Sequence, residues 1–150
     1  MRLWHKELIP VLPRQQLVSQ WRECLAVSGM MIKDENHIPN MLLVAKVAKY
    51  PLAHFVVYAQ LVAAEMQRRG YKISDAASEK WLERLEELGG VDWELYEYLR
   101  TNNDVIFSGW HNDRYFRQCY FNLEEKYDCG GISEEEFKSI RALAIEKQTL

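Results

Sequence analysis

Apolar residues recur at three- and four-residue spacing along most of the chain, and no stretch shows a sustained two-residue alternation, so the pattern predicts helices throughout. The first helix is expected over 13–28, with Pro13 in its first turn and a stop near Gly29. Leu17, Trp21, Cys24 and Leu25 share one side of it, and Gln15, Gln16, Ser19, Gln20, Arg22, Glu23 and Ala26 fill the opposite arc. Residues 29–40 read as a loop. Asn40 is a candidate cap for a short helix over MLLVAKVAKY. Pro51 opens a helix over 51–69 with Leu52, Phe55, Val56, Ala59, Val62, Ala63 and Met66 inward, closed by Gly70. Ser78 is the expected cap of EKWLERLEEL, which Gly89-Gly90 stop. Asp92 precedes WELYEYLR, 101–110 reads as irregular, and a long helix from Asp113 ends at Gly130-Gly131. Ser133 and Glu136 form a capping box before the last helix. The expectation is one all-α domain over 1–150, compact, with six or seven helices.

Composition narrows the class. The 150 residues are 48% hydrophobic, with five Trp, eight Tyr and five Phe, enough for a sizeable core and against disorder. Three cysteines, at 24, 119 and 129, make no C-x-x-C, which disfavours a disulfide framework or a cysteine zinc site and suits a reduced, cytoplasmic setting. No run approaches about 18 apolar residues, so no membrane span is expected. The net charge of −3 does not suggest nucleic acid, but residues 1–50 carry seven Lys/Arg against four acids while 51–150 carry twelve against eighteen. A phosphate-binding footprint and ordinary charge scatter both fit that asymmetry.

Motifs for side-chain chemistry are scarce. His5, His37, His54 and His111 have no second ligand at helical spacing, so no metal is expected. His54 fits a hydrogen-bonded interior position, Cys24 fits the core, and Trp110, Tyr115, Phe116, Tyr120, Phe121 and Tyr127 fit packing better than base stacking.

Residues 12–23, LPRQQLVSQWRE, with the arm MRL before them, resemble the N-terminus of the pyrimidine-dimer DNA glycosylase (endonuclease V) family, through Leu12, Gln15, Leu17, Arg22 and Glu23. AEMQRRGY, Ala64 to Tyr71, is similar to that family's A-E-x-x-x-R-G-aromatic helix end, and MRLWH and NLEEKYDCGGIS resemble bacterial proteins grouped with it. The resemblance implies a compact all-α fold and a metal- and cofactor-free glycosylase with AP lyase activity on pyrimidine dimers or abasic sites in double-stranded DNA. Its nucleophile would be the α-amine of the first residue. An α-amine titrates at roughly 7.7–8.0, against about 10.4 for lysine, so part of it is neutral at neutral pH. Carried over by position, Met1 supplies the amine and Glu23 the catalytic carboxylate, while Arg2, Arg14, Gln15 and Arg22 face DNA. Placing Met1 where the family has threonine keeps Arg2 in register with the family's arginine. Gln16 replaces a family histidine, Ala26 replaces an arginine, and the tail is acidic instead of basic and aromatic. The other readings are a non-catalytic nucleic-acid-binding domain and a helical protein-interaction domain. The oligomeric state is open, with a monomer as the default.

Overall fold

The computed structural model describes residues 1–33 and 42–149. Seven α-helices run among them: α1 Arg14–Lys33, α2 Leu42–Ala48, α3 Leu52–Arg68, α4 Asp75–Leu88, α5 Trp93–Thr101, α6 Asp113–Asp128 and α7 Glu134–Glu146, with 3-10 segments at Lys6–Val11 and Asn103–Val105 and no strand. The all-α expectation stands. The proposed Asn40 cap, His37 and most of the expected 29–40 loop lie outside the described residues.

Several boundaries expected from local chemistry hold. Ser133 Oγ accepts from the Glu136 N–H, and the Glu136 side chain accepts in return from the Ser133 N–H. Asp92 caps α5. Gly70 takes a φ of +81° just beyond α3, a conformation that a side chain would strain. Two expectations need correcting. The cap of α4 is Ser74, whose hydroxyl accepts from Ala77 N–H, four residues before Ser78. And Gly29 does not stop α1, which continues to Lys33. A Cβ at Gly29 would stand 3.1 Å from the Arg84 guanidinium, which donates to the Leu25 carbonyl and to Ser28 Oγ. The glycine makes room for a neighbouring side chain on α4.

α3 is the most deeply buried helix. Phe55, Val56, Tyr58, Ala59 and Val62 are fully buried. It packs on α1, α5 and the 3-10 segment Lys6–Val11, while α1 also packs on α4 and α7 closes over the same 3-10 segment. The segment expected to be irregular, 101–110, contributes to the core. Ile106 and Phe107 are fully buried, and Phe107 holds a left-handed φ of 53° with its N–H donated to His54 Nδ1. No single described helix is long and apolar enough to cross a membrane.

The AEMQRRGY stretch has a structural reason. Glu65, nearly buried, accepts from Arg68 and from Arg69 at 3.0 Å. Arg69 turns back to donate to the carbonyls of Leu12 at 2.7 Å and Pro10 at 3.1 Å. Tyr71, just past the left-handed Gly70, lies under the Arg14 guanidinium, 4.8 Å from ring centre to Cζ. The end of α3 therefore fixes the junction between the N-terminal arm and α1.

Candidate active site

Residues 1–5 form an arm, before the 3-10 segment, whose backbone is bonded by side chains rather than by a strand partner. Gln20, on α1, donates from Nε2 to the Arg2 carbonyl at 2.9 Å and accepts on Oε1 from the Trp4 N–H at 2.6 Å. Tyr58, on α3, lies 2.6 Å from the Trp4 carbonyl and 2.9 Å from Gln20 Oε1, and its single proton serves one of them at a time. Tyr115, on α6, donates to the Leu3 carbonyl at 2.7 Å. The Lys6 N–H donates to His111 Nδ1 at 3.0 Å. Leu3, Trp4 and His5 are buried beneath this lattice. Gln20 is itself fully buried, which corrects its placement on the solvent arc of α1.

The Gln20 amide that holds the Arg2 carbonyl also donates to Glu23 Oε2, so the arm and the carboxylate share one anchor. Met1 is exposed and Glu23 is half-buried. Burial raises the Glu23 carboxyl above the usual carboxylate range. The Met1 ammonium, the Arg2 N–H, the Gln20 amide (3.0 Å) and the Arg2 guanidinium oppose that rise by favouring the charged form. The carboxylate is thus poised by two opposed effects and held by a fixed donor.

The other residues singled out in the sequence fall into two groups. Arg2 is half-buried, stacked 5.2 Å from the Trp4 ring, with Nη1 3.8 Å from Cys119 Sγ. Met1 and Arg2 line a cleft of about 270 Å³ with Lys46, Trp110 and Tyr115. Arg14, Gln15 and Arg22 line another, of about 440 Å³, together with Gln16 and Glu136. Arg22 lines only the second of these and precedes Glu23 on α1.

Buried groups around the arm are held neutral. Desolvation pushes His5 down to about 4 and His111 down to about 2. Burial also raises the thiols of Cys24 and Cys119, which suits packing and not nucleophilic attack. The two histidines make stability pH-dependent. Below about pH 6.5 the unfolded chain protonates both rings, whereas the folded chain refuses the proton until far lower pH. Stability is complete above about pH 6.5 and falls by about 1.4 kcal/mol per pH unit for each ring as the solution is acidified. Urea unfolding midpoints at pH 7 and pH 5 check this, with a clear drop at pH 5 expected.

Gln20, Tyr58, Tyr115 and His111 were not picked out in the sequence as site residues. Gln20 alone carried a usable signal, since it lies three residues before Glu23 on the same side of a helix. Among the described residues no group of three His, Cys, Asp or Glu side chains is placed to hold a metal.

An all-α frame thus ties the N-terminal arm to the helix that carries Glu23. The sequence pattern of the family described as pyrimidine dimer DNA glycosylase matches residues 1–79, and the chain belongs to that family. No curated protein and no solved structure matches the chain. The matched region holds Met1, Gln20, Glu23, Tyr58 and the Glu65–Arg69 brace. Family membership supports DNA-repair glycosylase chemistry on damaged DNA.

Proposed function

We propose that this protein is a glycosylase with AP lyase activity whose nucleophile is the Met1 α-amine and whose catalytic carboxylate is Glu23. The observation that carries the reading is the Gln20 amide, which donates both to the Arg2 carbonyl, next to Met1, and to the Glu23 carboxylate. The neutral amine attacks C1′ of the damaged nucleotide. The glycosidic bond breaks, and the base leaves with the bonding pair and takes up a proton. Loss of the amine proton and opening of the sugar ring give an imine. Removal of a C2′ proton then expels the 3′ phosphate by β-elimination, and water releases the enzyme from the imine. Glu23 stabilises positive charge developing on the sugar and carries protons between these steps. Extrusion of a base is least costly at a damaged step, which favours lesion-bearing DNA as substrate. In this reading Arg14, Gln15 and Arg22 present one face of α1 to the duplex, while Arg2 steadies the arm beside the sugar.

Duplex DNA that has been UV-irradiated or carries an abasic site, incubated with the protein in excess chelator, tests the activity. Nicking that survives the chelator is expected. Intact strands with both substrates overturn the proposal.

A further inference from the structure

The cleft beside Met1 continues into a larger one of about 400 Å³ that shares Lys46, Trp110, Tyr115 and Gln118 with it and adds Lys49, Tyr50 and Arg114. Three cations from two parts of the fold face this space: Lys46 at the end of α2, Lys49 in the turn after it, and Arg114 in the first turn of α6. No carboxylate lines either cleft among the described residues. That sets them apart in an acidic protein. The cleft at Arg14–Arg22 has Glu136 in its wall, and the one at Lys6–Arg68 has Glu7, Glu65 and Asp104. A glutamate in the wall repels phosphate, whereas a wall of lysine and arginine alone attracts it.

The cleft is also built. Tyr50 donates to the Ser108 carbonyl at 2.7 Å, which fixes the ring against the 108–110 turn. Gly109 holds a φ of +88° there. The Lys46 ammonium sits 5.7 Å from the Trp110 ring centre, and the Trp110 indole N–H is buried without a partner among the described residues. Lys49 and Arg114 are exposed.

We propose that the Lys46–Lys49–Arg114 cleft is a phosphodiester-binding track that holds the DNA backbone next to the nucleotide reaching Met1. This rests on the glycosylase reading above and extends it to a surface that the arm and α1 do not supply. Lys49 and Arg114 contact consecutive backbone phosphates, and Lys46, shared by both clefts, holds the phosphate nearest the amine. The track adds to Arg14 and Arg22, which line a separate cleft along α1.

The test is the salt dependence of binding to a duplex carrying a tetrahydrofuran abasic-site analogue, which cannot be turned over. Each phosphate contact contributes close to one unit of slope in log Kd against log salt, so Lys49→Ala/Arg114→Ala is expected to lower the slope by about 2 and weaken binding about tenfold or more at 0.1 M salt. Lys80→Ala/Lys138→Ala removes the same charge from exposed positions elsewhere and is expected to leave the slope unchanged. An unchanged slope in the first variant, or an equal fall in both, overturns the track while leaving the glycosylase reading intact. Failure of the unmodified protein to bind overturns both. Salt-dependent binding with the expected loss, but no nicking activity, supports the track and separates it from the chemistry.

Discussion

Replacing Glu23 with glutamine is expected to lower strand nicking by about 10²–10⁴-fold, the range typical for loss of a positioned acid–base group. The substitution preserves shape, and the glutamine carbonyl oxygen can still accept from the Gln20 amide that now sits 3.0 Å from the carboxylate. What it removes is the charge and the capacity to move a proton. Because burial already works against the ionised carboxylate, the variant is expected to fold with unchanged or slightly higher stability. Single-turnover nicking of an abasic duplex, measured alongside thermal unfolding and binding to an abasic-site analogue, reads these effects separately. Retained binding and stability with collapsed nicking support the role given to Glu23. Nicking within a few-fold of the unmodified protein removes Glu23 from the chemistry.

The second large effect is expected at Gln20. Leucine at this position is close in size but leaves the Trp4 N–H without an acceptor and the Arg2 carbonyl without its donor. Buried groups left unmade cost about 1–3 kcal/mol each, so Gln20→Leu is expected to destabilise the fold by roughly 2–6 kcal/mol. Stability alone does not separate a general structural role from a positioning role. The Gln20 amide favours the charged form of Glu23, so its loss should raise the Glu23 carboxyl further. If Glu23 works ionised, the acidic limb of the nicking rate moves to higher pH in Gln20→Leu, at temperatures where the variant remains folded. A lower unfolding temperature with an unmoved pH profile would make Gln20 purely structural.

Much of the helical frame was legible because its boundaries are set by short-range chemistry. Asp92, the Ser133–Glu136 pair and Gly70 act within a few residues of themselves, and sequence spacing records that directly. Gly29 was misread because its reason is distant: Arg84, on another helix, occupies the space where a side chain would lie. Gln20 was misread for a related reason. It is polar on a polar arc, and only the fold brings an extended arm over it to use both ends of its amide. The burial of Ile106 and Phe107 in a stretch without helical spacing was likewise set by tertiary packing. The resemblance proposed Met1 and Glu23, which no side-chain motif marks. The groups that pin the arm come from α1, α3 and α6, and Tyr115 and His111 lie beyond the part of the chain that matches the family. The Lys46–Lys49–Arg114 cleft was hidden because two helices far apart in sequence build it.

The amine at Met1 is the centre of this account, and trapping its imine tests it most directly. The protein, its free Met1 terminus verified by N-terminal sequencing, is incubated with abasic or UV-irradiated duplex in the presence of borohydride, and the product is digested and mapped by mass spectrometry. The account predicts a covalent protein–DNA adduct with the reduced sugar on the α-nitrogen of Met1. No adduct with either duplex, or attachment at a lysine side chain, would contradict it.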